Sequence, residues 1–267
     1  MSTRPRAVAC DLDGTLLRND LSVSARSRSA LAAVEASGAL LVFVTGRPPR
    51  WLPPVTDQVD HRGLAICANG ALVYDLHTSE VVESDLISPD VLARIVTDLR
   101  KMVDGVAFAI EHAQGFWHDT SYPVAPQHRT TVVREVGPEE LVGIPVAKLL
   151  VRHPERDSEA LMAAVGEVFD GLAEVTHSTP VGPGLLELSA AGVSKASALA
   201  RLCHQHGIDA ADVMAFGDMP NDLPMLAWAG RSYAMANAHP DVLAAIPRRA
   251  PSNDDDGVAV VLEQFFG

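Results

Sequence analysis

Twice in this chain a short, wholly apolar run breaks off into aspartate. Ala7-Val8-Ala9-Cys10 stops at Asp11 and Asp13, and Val213-Met214-Ala215-Phe216 stops at Gly217-Asp218. Runs of this kind suit buried strands of a parallel sheet, whose carboxyl ends open onto a site. Between and around them the alternation continues. Ser24 is placed to cap a helix that Gly38 stops. Leu40 to Val44 reads as a second strand leading into Thr45-Gly46-Arg47, and Pro48-Pro49 fits the opening turn of another helix. Leu64 to Cys67 reads as a third strand, ending at the turn signal Asn69-Gly70. Strand and helix in alternation predict an α/β fold with a doubly wound parallel sheet.

The middle of the chain breaks this rhythm. Leu92, Ile95, Val96 and Leu99 are spaced for one helix, and Leu161, Ala164, Val165 and Val168 for another. Val106 to Ile110, Phe116-Trp117, Val146 to Val151, Leu172 to Val175 and Leu185 to Leu188 read as strands. Two helices among several strands predict an inserted α+β module, with residues 77–183 as the insertion and 1–76 plus 184–267 as the discontinuous core. Its histidines are frequent: His112, His118, His128, His153 and His177. After Gly192 the first pattern resumes. Ser194 caps a helix with Leu199, Leu202, Cys203 and His206 on one face. Asn221 to Trp228 is expected as a helix, Ser232 to Ala236 as a strand and Asp256 to Phe266 as a closing helix.

Composition narrows the functions. At 267 residues the chain is long enough to bury a core without staples. A net charge of −13 opposes binding to a nucleic-acid backbone or an anionic membrane, but allows a small phosphorylated substrate held in a local positive field. Cys10, Cys67 and Cys203 form no C-x-x-C pair and read as reduced packing residues. No apolar run reaches the ~18 residues of a membrane span, and the apolar stretch after the basic start meets Asp11 too soon for a signal peptide. The expectation is a cytoplasmic protein.

The chemistry concentrates at the strand ends. In Asp11-Leu12-Asp13-Gly14-Thr15 the two aspartates lie two residues apart, so both carboxylates can face one spot above the sheet edge. A nucleophile beside a general acid/base is the obvious use of such a pair. Gly217-Asp218-Met219-Pro220-Asn221-Asp222 adds two more carboxylates if its strand is a neighbour. Three or four carboxylates make a hard-oxygen site suited to Mg²⁺, whereas zinc or copper would want His or Cys. Thr45-Gly46 can grip phosphate oxygens, although it is also an ordinary strand exit. Lys195 stands out because the chain has eighteen arginines and three lysines, and because a helix start disfavours a cation. It reads either as a surface charge or as a counter-ion to a phosphoryl group and the aspartates. The run Asp254-Asp255-Asp256 reads as a solvated helix start. His204-x-His206 near a helix end carries no metal reading.

In order and spacing, Asp11-Leu12-Asp13-Gly14-Thr15, Thr45-Gly46-Arg47, Lys195 and Gly217-Asp218-x-x-Asn221-Asp222 resemble the four motifs of the haloacid dehalogenase superfamily. The chain is similar to the Cof-type, sugar-phosphatase-like branch, with further matches at Asn69-Gly70-Ala71, Val193-Ser194-Lys195, Asn237-Ala238 and Asn253-Asp254-x-Asp256-Gly257-Val258. Cys10 stands where a bulkier apolar residue is common, and Pro220 lies inside the fourth motif; neither removes a reactive group. The resemblance implies a Mg²⁺-dependent phosphatase of small phosphorylated metabolites that works through an aspartyl-phosphate. Candidate substrates are a sugar phosphate, flavin mononucleotide, pyridoxal phosphate or a riboflavin-pathway phosphate ester.

The resemblance also implies roles. Asp11 is the nucleophile, Asp13 the general acid and base, and Thr15 helps hold Asp13. Leu12 N–H, Thr45, Gly46 N–H and Asn221 bind phosphate oxygens, and Lys195 offsets charge. Mg²⁺ is held by Asp11, the Asp13 carbonyl and Asp218, with Asp222 in or beside its coordination shell. The insertion, between the second and third motifs, is a cap that closes over the substrate. Arg47 and Glu187 are expected as substrate contacts. Two rivals are a phosphomutase of the same superfamily, which would release no phosphate, and a non-catalytic phosphometabolite-binding module.

Overall fold

The computed structural model describes residues 4–59, 63–112, 115–124, 133–165, 168–177 and 183–267. They form two compact units, one from residues 1–83 and 194–267, the other from residues 84–193. Along the chain the first unit opens with β1 (Ala7–Cys10), α1 (Ala25–Ala36), β2 (Leu40–Val44), α2 (Pro53–Thr56), β3 (Leu64–Cys67), β4 (Leu72–Asp75) and β5 (Glu80–Ser84), whose last residue belongs to the second unit. The second unit holds α3 (Pro89–Met102), β6 (Ala107–His112), β7 (Gly115–His118), β8 (Val133–Glu135), α4 (Pro138–Leu141), β9 (Lys148–Arg152), α5 (Ser158–Val165), β10 (Ala173–Thr176) and β11 (Leu185–Ala190). The chain then returns to the first unit with α6 (Lys195–Gln205), β12 (Val213–Gly217), α7 (Leu223–Trp228), β13 (Arg231–Met235), α8 (Pro240–Ala245), β14 (Arg249–Ala250) and α9 (Gly257–Phe266).

The first unit is built on an eight-stranded sheet in the order β14-β13-β12-β1-β2-β3-β4-β5. From β14 to β3 every pairing is parallel, and β4 returns antiparallel to β3. All four residues of β1 are fully buried, as a strand covered on both faces requires. The order reverses at β1, with β2 on one side and β12 on the other, which is where open α/β sheets leave a crevice beyond the strand ends. Register fixes the level of that crevice. Cys10 lies opposite both Phe43 and Phe216, so Asp11, Thr45 and Asp218 all leave the sheet at the same edge.

Two serine caps set the helices that matter most. The Ser24 side chain accepts from Ser27 N–H at the start of α1, and Gly38 follows its last turn with a φ of +79°. Ser194 and Ser197 form a reciprocal capping box that starts α6 at Lys195.

The second unit has a six-stranded sheet in the order β10-β11-β9-β6-β7-β8, antiparallel except for the parallel β7–β8 pair. Alternation divides its faces. Phe108, Ile110, Leu149, Val151, Leu186 and Leu188 share a core with Leu92, Ile95, Val96 and Leu99 of α3 and with Leu161 and Val165 of α5. Ala107, Ala109, Leu150 and Leu185 point the other way and pack with Phe116 and Tyr122.

Several boundaries differ from the sequence reading. The units divide after Glu83 and Val193 rather than after residues 76 and 183. The exposed β5 extends the first sheet beyond residue 76, and β11 pairs with β9 and β10 of the second sheet. Val168, expected on a helix face, lies beyond α5 in a turn and is 52% exposed. His206 is the exposed cap residue of α6 and not part of its buried face. Residues 220–222 form a separate 3₁₀ turn before α7. Of the histidines expected in the insertion, His128 lies outside the described residues.

Candidate active site

Three short segments of the first unit meet at the carboxyl edge of its sheet. Asp11 follows β1 and is buried, with its N–H bonded to the Phe216 carbonyl of β12 at 3.2 Å. Asp218 and Asp222 follow β12 and are also buried. Asp222 is folded back by its own turn, because its Oδ2 accepts the N–H groups of Asp218 and Met219, each at 3.0 Å. Lys195 comes from the first turn of α6 and is 2% exposed. Its Nζ donates to Asp11 Oδ1 at 2.7 Å and to Asp222 Oδ1 at 2.6 Å.

Two glycines permit this convergence. Gly14 has a φ of +73°, and a Cβ there would stand 2.3 Å from Asp218 Oδ2, so only glycine lets the first loop pass over that carboxylate. Thr15 then donates from Oγ1 to Asp218 Oδ1 at 2.8 Å. Gly70, with a φ of +107°, lets the turn after β3 sit against the Ser194 carbonyl, where a Cβ would come within 2.2 Å. That close approach seats the start of α6 and with it Lys195.

The electrostatics are unbalanced. Three carboxylates face one ammonium. Burial raises the Asp11 carboxyl well above the usual range, and the charges of Asp222 and Asp218 add to it against the pull of Lys195. Asp218 is pushed up to about 7, by burial first and then by Asp222. Burial works against the charge on Lys195, but Asp11 and Asp222 outweigh it, so the ammonium is held more firmly than in water. Carboxylate oxygens of Asp11, Asp218 and Asp222 lie within 4.8 Å of one another. This all-oxygen set with surplus negative charge fits a hard divalent cation such as Mg²⁺.

The other expected residues divide into three groups. Thr45 is buried at the end of β2, its Oγ1 accepting the Arg47 N–H at 3.1 Å, and Gly46 follows it. Asn221 is buried in the turn before α7 and donates to Asn69 Oδ1 at 3.2 Å, while its own Oδ1 meets no protein partner. Leu12 contributes an apolar, fully buried side chain, and its carbonyl accepts from Leu17 N–H at 2.8 Å, so a ligand can meet only its main chain.

Asp13 stands apart from the buried carboxylates. Its side chain is 52% exposed and is gripped by Arg47, with Nε to Oδ2 at 2.7 Å and Nη2 to Oδ1 at 2.5 Å. Glu187 belongs to the second unit, buried on β11, where Lys148 Nζ donates to its Oε1 at 2.7 Å. Asn69 has the most direct link to the site among residues given no role by sequence. Its Asn-Gly dipeptide signals a turn, and nothing in that signal tells that the side chain turns inward to Asn221.

Comparison with known proteins places the chain among phosphate-ester chemistry. The profile of the haloacid dehalogenase-like hydrolases matches residues 8–262. A protein of Bacillus subtilis named as a phosphatase, YxeH, is 30% identical over 279 residues, covering 97% of this chain and 98% of the relative. The 5-amino-6-(5-phospho-D-ribitylamino)uracil phosphatase YitU, also of Bacillus subtilis, is 29% identical and covers 100% of this chain and 99% of the relative. Among solved structures, a phosphatase of the haloalkanoate dehalogenase superfamily from Bacteroides thetaiotaomicron superposes with a TM-score of 0.81 at 27% identity, covering 99% of this chain and 96% of the other.

Proposed function

We propose, on the premise that this chain belongs to the haloacid dehalogenase-like hydrolase family, that it is a phosphatase hydrolysing small phosphorylated metabolites through a phosphoryl-aspartate. The observation that carries the reading is the buried junction of Asp11, Asp222 and Lys195, with Asp218 beside it. A lone nucleophilic carboxylate would repel a phosphate dianion. Here Lys195 neutralises part of the charge, and three converging carboxylates suit a divalent ion. Mg²⁺, held by Asp11, Asp218, Asp222 and the Asp13 carbonyl, would supply the remaining positive charge to the transferring group. Phosphoryl transfer asks mainly for such positioning and charge compensation.

In the first step an Asp11 oxygen forms a bond to phosphorus as the ester P–O bond breaks. Asp13 gives its proton to the departing oxygen. In the second step water attacks the phosphoryl-aspartate, Asp13 takes the water proton, and the acyl phosphate bond opens to release phosphate and free Asp11. Thr45, Gly46 and Asn221 bind the non-reacting oxygens, Asn221 through its Nδ2 amide group, which donates to Asn69 Oδ1 in this structure, because an amide oxygen only accepts and cannot hold a phosphate oxygen. Arg47 has a double part. A carboxylate gripped at both oxygens is an acceptor and cannot donate, so Asp13 acts as an acid only after Arg47 turns to the incoming phosphate. The second unit is assigned the selection of the leaving group, with Glu187 as its residue to test. Sugar phosphates, flavin mononucleotide, pyridoxal phosphate and riboflavin-pathway phosphate esters are the substrates to try first, together with 5-amino-6-(5-phospho-D-ribitylamino)uracil, the compound for which YitU is named.

The test is phosphate release from a panel of these esters, with Mg²⁺ and after chelation. The reading requires phosphate formed in proportion to ester consumed, loss with chelator and recovery with Mg²⁺. An isomeric product without phosphate would make the protein a mutase, and no turnover of any ester would leave only a binding module.

A further inference from the structure

Arg47 grips the Asp13 side chain, and the loop that carries Asp13 is tied down along its length by other bonds. We infer that Asn237 and Asn253 are positioning residues that set the place of Asp13 by holding main-chain carbonyls of the β1–α1 loop. Asn237 Nδ2 donates to the Gly14 carbonyl, one residue beyond Asp13, at 2.8 Å. Asn253 Nδ2 donates to the Leu17 carbonyl at 2.9 Å and to Asn19 Oδ1 at 3.2 Å. The two asparagines are themselves linked, since the Asn253 N–H donates to Asn237 Oδ1 at 3.0 Å.

That link settles the orientation of the Asn237 amide. A main-chain N–H can only donate and a carbonyl can only accept, so the Asn237 oxygen must face Asn253 and its NH₂ must face Gly14. The segment after Asn253 extends the tether. Asp254 accepts from Asn19 N at 3.0 Å and Asn19 Nδ2 at 2.5 Å, and Asp256 accepts from Arg18 Nη2 at 2.8 Å. The loop is therefore clamped from two sides. Asp218 holds Thr15 on the side of the buried cluster, and residues 237–256 hold Gly14 and Leu17 to Asn19 on the other. Asp13 sits between Leu12, whose side chain is fully buried, and the pinned Gly14.

The inference rests on the phosphatase reading for its kinetic consequence and on the geometry alone for its structural one. The test uses Asn237→Asp, which keeps the acceptor for Asn253 but turns a negative oxygen toward the Gly14 carbonyl, and Asn237→Ala, which removes the bond. Asn237 is exposed, so neither change empties a core. Asp255→Asn is the control, since Asp255 accepts from Ser252 in the same segment without touching the loop. Amide exchange in residues 12–19 should quicken about tenfold in Asn237→Asp, the order expected for losing one hydrogen bond, while β2 and β12 stay protected. In kinetics, kcat/KM for an alkyl phosphate, which needs the proton from Asp13, should fall about tenfold or more. The same constant for an aryl phosphate with an acidic phenol should change less than about threefold, because that leaving group needs little acid help. Unchanged exchange in both variants overturns the tether. Equal losses for the alkyl and aryl esters, or an effect of Asp255→Asn as large, overturn the positioning role. A wild-type protein inert toward both esters overturns the phosphatase reading, and the kinetic role with it, while the exchange result still decides the tether.

Discussion

Two of the three lysines in this chain are buried among carboxylates, and they are buried for different reasons. Lys148 opens β9 and reaches Glu187 on the neighbouring β11, with Glu111 as its register partner on β6. Long side chains on adjacent strands meet there because sheet alternation turns them to one face. Lys195 lies at a helix start and reaches two aspartates, one 184 residues and one 27 residues away in sequence. Its partners are short side chains held by main chain at strand ends, and a third carboxylate, Asp218, stands beside them. The first cluster belongs to the interior of a sheet and the second to its open edge. At Lys148 one ammonium meets Glu187 with Glu111 buried opposite it in the sheet, whereas at Lys195 three aspartates converge at a strand edge and leave more negative charge that a further cation can use. Burial of a charge therefore does not mark a site by itself; the position of the donors and their unequal numbers do.

The comparison breaks first on activity. Asp11→Asn should reduce phosphate release by roughly a thousandfold or more, as removal of a nucleophile does, with the far-ultraviolet spectrum unchanged. Glu187→Gln should leave turnover of a small aryl phosphate within about tenfold, far short of the loss in Asp11→Asn. Comparable losses in the two variants would erase the distinction. Stability gives the next effect, with the order reversed. Lys148→Met leaves a buried carboxylate without its partner and should cost about 3–5 kcal/mol in denaturant unfolding. Adding Glu187→Leu should return part of that loss. No change in the midpoint for Lys148→Met would show that the pair is not held as described. The smallest effect sharpens the charge argument. Saturating Mg²⁺, at about a hundred times its dissociation constant, should stabilise the wild-type protein by about 2.7 kcal/mol. Asp218→Asn should lose most of that gain and Glu187→Gln should keep it; equal gains in both would place the ion elsewhere.

Much of this fold was legible because buried parallel strands leave an unmistakable trace. Ala7 to Cys10 and Val213 to Phe216 hold no polar residue, and each breaks at an aspartate. The serine before Lys195 and the scarcity of lysine made that residue conspicuous. What local sequence does not encode is adjacency. The meeting of Lys195 with Asp11 and Asp222 depends on the order β12-β1-β2 and on the seat provided by Gly70, which are properties of the assembled sheet. The same holds for Arg47, which the sequence offers as a substrate contact and which in the structure grips Asp13. Lys148 was hidden for another reason, since a single polar residue inside Val146 to Val151 passes as one outward position of a strand. The unit boundaries were missed because β5, with Glu80, Glu83 and Ser84 around two exposed valines, has neither an apolar run nor a buried face.

The most direct test of the central claim is to look for the phosphoryl group on Asp11. Asp13→Asn, which should slow release of phosphate from the enzyme more than its capture from a good aryl ester, would be mixed with Mg²⁺ and that ester. The reaction would be quenched in acid and digested for mass spectrometry. The account predicts one phosphorylated peptide, the one containing Asp11, with the modification discharged by hydroxylamine and missing when Asp11 is also changed to Asn. Consumption of the ester with no modified peptide, or modification at any other residue, would contradict it.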